Sequence, residues 1–396
     1  MRLKNFILSA ALLCTWGARA DFVNGIPIHG FADVDWGESS TTMPRGQQMD
    51  GARVGLLDLF LAPQLEGNVK MLVELVLEPA WSTGSEGLDA ERFQLGYTFS
   101  DYATLWAGRF HTPIGYWNTA YHHGPELQPT IARPMFIDFE DHAGTLPIHS
   151  VGFWLTGGVK LSDGYKLTYD AWTTNGNRFT GGQVDENGDL LPGITNSSGT
   201  LDMNLLGKDS NAMGYGANLG LNFGGALDGL RMGFDYFSDP IHTYVSCTSV
   251  VNACPVSGTF MNAAMQFTDL GPYLAYENHN ILLIGEFHSI LDYSIGTQSS
   301  GHYNSTAGYV HFGYTFLPLA TAYVQYEKAD FNQNDPYFKY ALFGQAYSLQ
   351  LVGLRYQLTQ NTVGKLEYSY VNYNSVNTAV TDSYGQQVKA QYAVAF

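Results

Sequence analysis

The 396-residue sequence predicts an all-β chain: a transmembrane antiparallel β-barrel of about sixteen strands, with short periplasmic turns and long extracellular loops. Three observations predict it. Segments with alternating apolar and polar residues recur along most of the chain, which is the period of a strand with two unlike faces. The connections between these segments alternate short and long. Finally, 14% charged residues accompany 14% aromatic ones, with 26 Tyr, 23 Phe and 44 Gly, at a mean hydropathy of −0.11. That mixture is too polar for a bundle of spanning helices. It suits a sheet whose wet face and lipid face alternate residue by residue.

The elements follow in order. Met1-Arg2-Leu3-Lys4-Asn5 is a positive start, Phe6 to Leu13 is apolar, and Gly17-Ala18-Arg19-Ala20 ends in small residues. This is the pattern of a signal peptide over 1–20, cleaved after Ala20. Leu13 before Cys14 argues against a lipoprotein, which needs a small residue there. Residues 21–396 then read as one exported barrel with no domain boundary and no close repeat. Later apolar runs, such as Leu56 to Ala62 and Met71 to Leu77, are strand-sized. A membrane chain without spanning helices must close its sheet, because lipid cannot satisfy an open edge.

The sixteen candidate strands are 26–38, 50–66, 67–80, 89–100, 102–115, 149–162, 164–176, 210–224, 227–239, 260–278, 279–293, 302–317, 318–331, 342–359, 360–374 and 384–396. Their faces sort by charge. Leu230, Met232, Phe234 and Tyr236 alternate with Arg231 and Asp235; Lys70 and Glu74, Lys166 and Asp170, and Lys365 and Glu367 alternate with apolar neighbours in the same way. A Lys or Arg facing lipid at mid-depth costs roughly 2–4 kcal/mol, so the charged face points to the lumen. Segments 50–66 and 342–359 sort less cleanly and suggest a bulge. An even strand number places both ends in the periplasm.

The last segment places Val388, Ala390, Tyr392, Val394 and Phe396 on one face. An alternating last strand that ends in an aromatic residue resembles bacterial outer-membrane proteins generally. The resemblance implies that Phe396 is read by the barrel-assembly machinery and that outer-membrane lipids and lipopolysaccharide surround the barrel.

Residues 116–148 form the longest early loop. It is too aromatic for a loop left in water, since aromatic rings favour burial: Tyr116, Trp117, Tyr121, Phe136 and Phe139 lie within it. The reading is a loop packed inside the barrel; the alternative is an ordered external loop packed on the rim or on a neighbouring subunit. The preceding Gly108-Arg109-Phe110-His111-Thr112-Pro113-Ile114-Gly115, with His122-His123-Gly124 and Arg133-Pro134 after it, resembles porins of the phosphate-selective O/P-like superfamily. That resemblance covers this one region in detail and the rest only in strand layout. It implies a sixteen-stranded diffusion channel, often a homotrimer, whose third loop narrows the pore. The arginine and lysine ladder of the phosphate-selective members is not matched here, because the basic residues are few and interleaved with acids.

The chain carries 19 basic and 36 acidic residues, net −17, and three of the basic ones (Arg2, Lys4, Arg19) fall in the expected leader. An acidic field raises local cation concentration, so a weak cation preference is expected; the alternative is an acidic surface that only meets lipopolysaccharide through divalent ions. Nucleic acid is not an expected partner. Candidate pore-lining residues are Lys70, Glu74, Arg92, Arg109, His111, Arg231, Asp235, Glu286 and Glu327, with Glu126 and Arg133 from the loop. Opposed charges across a pore tune selectivity.

Cys247 and Cys254, an even pair in an exported chain, read as a disulfide. His111, His122, His123, His142 and His149 gather near the loop with Glu126, Asp138, Glu140 and Asp141. Their spacing is not that of a helical metal motif, so no metal is expected, with His122, His123 and His142 as weak candidates. Asp185-Glu186-Asn187-Gly188-Asp189 lacks the full ligand set of a calcium loop. No Gly-x-Ser-x-Gly motif occurs, and no enzyme or cofactor is expected. The expected function is a water-filled channel for passive diffusion of ions and small hydrophilic solutes. A substrate-specific channel for a sugar, organic acid or anion, or a non-transport surface or scaffold barrel, are the alternatives.

Overall fold

A computed structural model describes residues 21–23, 26–40, 49–63, 65–80, 85–122, 124–138, 145–162, 164–181, 199–202, 213–247, 258–294, 301–335, 337–338, 344–373 and 384–396. The expected signal peptide, Cys254, His123, His142 and the 185–189 run lie outside these residues, as does the side chain of Cys247. Among the described residues no helix is long and apolar enough to cross a membrane.

Sixteen strands form the wall: β1 Ile26–Ser39, β2 Asp50–Leu61, β3 Val69–Ala80, β4 Ser85–Ser100, β5 Ala103–His111, β6 His149–Ser162, β7 Tyr165–Thr174 and β8 Gly214–Asn222. They continue as β9 Leu230–Cys247, β10 Gly258–Asn278, β11 Ile281–Ser294, β12 His302–Leu317, β13 Ala320–Asp330, β14 Tyr347–Thr359, β15 Thr362–Tyr373 and β16 Tyr384–Ala395. Each pairs antiparallel with the next, and β16 returns to β1 with Ala395 opposite Phe31 and Gln387 opposite Ser39. The barrel is closed. The seam is finished by Phe396, whose backbone exchanges two hydrogen bonds of 2.9 Å with Gly30. Among the described residues, three short strands lie outside this ring. Asp21–Val23 pairs with the start of β1, and Arg178–Gly181 and Gly199–Asp202 pair with each other in the β7–β8 connection.

Alternation builds the two faces. Along β12 the inward Ser305, Ala307, Tyr309 and His311 are buried, while Val310, Phe312, Tyr314 and Phe316 are exposed on the outside. The same outward rows hold Val352 and Leu354 on β14, and Leu366 and Tyr368 on β15. Outward aromatics gather at both ends: Phe99, Tyr102, Phe316 and Tyr356 by the short turns, and Trp36, Tyr215, Tyr293 and Tyr384 by the long loops. Two such girdles flank the lipid-facing band of a transmembrane barrel.

Boundaries differ from the sequence reading where local chemistry interrupts the period. β5 stops at His111, not 115, because Pro113 has no N–H to donate and Gly115 turns the chain at φ 62°. β9 continues past Pro240 to Cys247, where the sequence placed the strand's end at 239. β14 begins at Tyr347 rather than 342, and β2 ends at Leu61 rather than 66. The bulge expected in 50–66 is present: between the pairs Ala32–Leu57 and Val34–Val54, Gly55 and Leu56 of β2 stand opposite the single Asp33 of β1, whose carboxylate accepts the N–H of Leu56 at 3.0 Å. In β14 it falls at the far end, between Gln357 and Thr359.

Candidate functional site

The connection between β5 and β6 folds into the barrel. It opens with α1, the single turn Tyr116–Ala120, and later makes one 3₁₀ turn at Met135–Ile137. So irregular a segment satisfies few of its own backbone groups, and inside a barrel each must find a partner. The wall supplies them in two sets.

Carboxylates hold the amides. Asp235 on β9 accepts the N–H of Gly115 at 2.9 Å, and Glu286 on β11 accepts that of Trp117. Glu327 on β13 accepts the N–H of Met135 at 2.8 Å, and Glu367 on β15 accepts that of Ile131 at 2.5 Å. The four acceptors stand on alternate strands of one half of the barrel. Three are also held by tyrosine hydroxyls: Tyr309 to Glu286 at 2.7 Å, Tyr347 to Glu327 at 3.1 Å and Tyr323 to Glu367 at 2.8 Å.

Basic and amide side chains hold the carbonyls. Lys365 Nζ donates to the carbonyls of Pro125 and Thr130 at 2.5 and 2.9 Å, and Arg355 donates to that of Glu126 at 3.0 Å. Asn218 donates to Pro113 at 3.1 Å. Within the loop, Arg133 donates to the carbonyl of His122, and Asn118 reaches those of Thr112 and Ile148 at 2.8 and 3.2 Å. Rings complete the packing. Trp117 and Phe136 are fully buried, with Tyr309 at 6.0 Å and 6.2 Å between centroids. Burying each such ring contributes on the order of 2–3 kcal/mol. Burial also raises the Tyr116 and Tyr121 phenols above their ordinary range, so both stay neutral. Arg231, half-exposed on β9, donates to the Tyr116 hydroxyl at 2.9 Å.

The residues picked from sequence therefore divide. Asp235, Glu286 and Glu327 point inward but lie covered by the loop, because its amides claim their oxygens. Glu126 and Arg133 are likewise buried, in contact with Arg355 and the His122 carbonyl. Glu74 is fully buried and pairs with Arg92, which is half-buried. Arg109 is buried beside Asp89 at 3.6 Å and Glu91 at 3.7 Å. Lys70 is exposed near the short-turn end of β3 and joins none of these groups.

The sequence reading missed Lys389, Arg53, Asp35, Glu91, Asp269 and His288. Lys389 on β16 feels the charges of Glu367, Asp35, Arg53 and the loop's Asp138. A cleft between the loop and β13–β16 is lined by Arg133, Glu327, Glu367, Ser369, Gln387 and Lys389. Inward parity on β15 and β16 could have found Lys389, as it found Lys365 and Glu367. Parity could not find Glu91: β4 bulges there, with Asp89 opposite Val76 but Arg92 opposite Glu74.

That bulge brings Glu91 to three histidines. His111 and His149 are directly paired across β5 and β6, and His122 approaches from the loop. One ligand atom from each of Glu91, His111, His122 and His149 falls within 4.8 Å of every other, the grouping of a possible metal centre. Asp235, Asp269 and His288 form a second such group, in which His288 Nδ1 lies 2.8 Å from Asp269.

The sequence matches no family model and no curated protein sequence. Solved structures do match its fold. An anion-selective porin from Comamonas acidovorans aligns with a TM-score of 0.56 at 11% identity, covering 94% of this chain and 99% of that one. The outer-membrane channel DcaP of Acinetobacter baumannii aligns at 0.53 and 12% identity over 94% and 97%. OmpT of Vibrio cholerae, an outer-membrane protein described in a trimer form, aligns at 0.53 and 10% identity over 94% and 99%. At these identities the similarity is one of fold.

Proposed function

We propose that this barrel is an outer-membrane porin, a water-filled channel for passive diffusion of ions and small hydrophilic solutes. The observation that carries the proposal is the third loop, tied inside a closed sixteen-stranded wall by amides to Asp235, Glu286, Glu327 and Glu367. Sixteen strands enclose more room than side chains fill. A loop fixed across part of that room narrows the passage and leaves the remainder to water and solute. The half-exposed Asp35, Arg53, Lys389 and Asp138 then face the passage as opposed charges, with Arg92 and His111 further round the wall.

A weak cation preference accompanies this reading, on the strength of the −17 net charge. Lys389, Arg53 and Arg133 work against it, and one of the fold's relatives is anion-selective. The phosphate-selective O/P-like resemblance remains part of the proposal through the Gly108–Gly115 segment. So do export by a cleaved leader at 1–20, the Cys247–Cys254 disulfide, recognition of Phe396 during assembly, and a homotrimer, which a fold relative also forms.

Single-channel recording of the refolded protein in a planar bilayer, under a salt gradient, tests the proposal. Steady open steps with a cation-signed reversal potential are expected. A folded and inserted barrel that gives no steps rules the channel out.

A further inference from the structure

We propose that Glu91, His111, His122 and His149 bind a divalent transition-metal ion of the zinc class, which bridges the loop to the wall. The donor set is three imidazoles and one carboxylate, the borderline-soft nitrogen and oxygen ligands that zinc takes. The placement is specific. His149 Nε2 stands 2.6 Å from Glu91 Oε2 and 3.1 Å from His122 Nε2. The rings of His111 and His122 stack at 3.4 Å between centroids, and His122 and His149 meet edge-on at 4.8 Å. Tetrahedral ligands at about 2.0–2.1 Å from zinc stand roughly 3.4 Å apart. Four donor atoms already within 4.8 Å of one another reach that spacing by small side-chain rotations.

The surroundings are those of a ligand shell. His122 Nδ1 meets Asn118 Oδ1 at 2.5 Å, which turns Nε2 toward the cluster. Bound histidines are oriented this way, by an oxygen on the other ring nitrogen. Asn118 is itself fixed by the two loop carbonyls it donates to. Glu74 lies 3.6 Å from His111 Nε2, a second carboxylate behind the first ligands. Arg109 stands against Glu91, and its charge is shared with Asp89. Glu91, His122 and His149 are deeply buried, while His111 is less so and leaves a side for entry. Two strands and a bulge bring three ligands from the wall, and the fourth comes from the loop. An ion here cross-links the two parts at a point on the opposite flank from the carboxylate anchors.

The site does not rest on the channel reading, because metal binding is measured without conductance. The test uses the full-length, tag-free protein, folded in detergent, stripped with chelator and titrated with Zn²⁺ in a calorimeter. Co²⁺ is used in parallel as a spectroscopic probe. Saturable binding of one ion per chain is expected, with the visible bands of four-coordinate Co²⁺. His122→Ala and His149→Ala should each weaken it about tenfold or more. His279→Ala, an exposed turn residue outside the cluster, should leave it unchanged. Folding of each variant is verified by heat-modifiable mobility, and His122→Ala alters only the loop, so the wall stays intact. Absence of saturable Zn²⁺ binding overturns the proposal, and so does equal affinity in the folded His122→Ala and His149→Ala variants.

Discussion

The amide of Gly115 donates to the carboxylate of Asp235, 120 residues further along the chain, at 2.9 Å. It is the first of four such bonds that hold the loop, and hydrogen bonds to charged groups contribute about 1.5–3 kcal/mol each. Glu286→Ala removes the second anchor and strands the Trp117 amide. The loop should then detach at this end while the wall remains closed. Larger and noisier conductance steps are expected, with unchanged heat-modifiable mobility; steps identical to wild type would show that the anchor does not restrain the passage.

Gly115 itself carries φ 62°, in the left-handed region, and a Cβ there would strike the Glu286 carboxylate. Gly115→Ala should therefore cost more than the ~1–2 kcal/mol of left-handed strain alone. The check is the thermal transition in detergent, which should fall, together with conductance that resembles Glu286→Ala.

Selectivity should turn on the opposed charges beside the cleft. Lys389→Glu replaces a base that faces Asp35, Glu367 and Asp138. Reversal potentials under a salt gradient should move further toward cations. Arg53→Gln should move them the same way by less, since it removes a charge without reversing one.

On the outside, Val352 lies exposed between Leu354 and neighbouring apolar rows. Val352→Arg should destabilise the barrel by about 2–4 kcal/mol in a bilayer. Denaturant titration of folding into vesicles measures this. Tyr384→Lys, at the loop-end girdle, should cost much less, because the penalty fades toward the interface.

Asp335, in the connection between β13 and β14, is buried, and that burial raises its carboxyl above the usual range despite hydrogen bonds from its surroundings, including the Tyr337 amide at 2.9 Å. The folded segment thus binds a proton more tightly than the unfolded one. Its contribution is complete below the ordinary carboxylate pKa and is lost as pH rises through the raised value. The protection of the amides of residues 331–335, taken relative to intrinsic base-catalysed exchange at each pH, should fall over that rise. Asp335→Asn should shrink that fall in protection, with the neighbouring Asp292 carboxyl, which is hydrogen-bonded to Asp335, left as the remaining titrating group.

The wall was legible in the sequence because its signal is a period of two repeated sixteen times. Lys70, Glu74 and Asp235 each betray a face by the cost of turning a charge to lipid. Ends were less legible where a residue's turn preference yields to pairing: Pro240 sits within β9, opposite Gln266. The loop's aromatic content signalled burial correctly, since Trp117 and Phe136 are enclosed. What holds it was not legible. The acceptors for its amides lie 120 to 236 residues away, and nothing local in the Ile131 amide names Glu367. Glu91 escaped for a different reason. A bulge cancels the parity on which the face assignment depends, so a ligand of the histidine cluster lay hidden beside Arg92.

The distance between loop and anchors also orders assembly in time. The amides of Gly115, Trp117, Ile131 and Met135 have no acceptors until β9, β11, β13 and β15 are in place. Closing so long a loop must precede the contacts that reward it. The inner segment therefore docks only once those four strands stand in place, and its position depends on the second half of the wall.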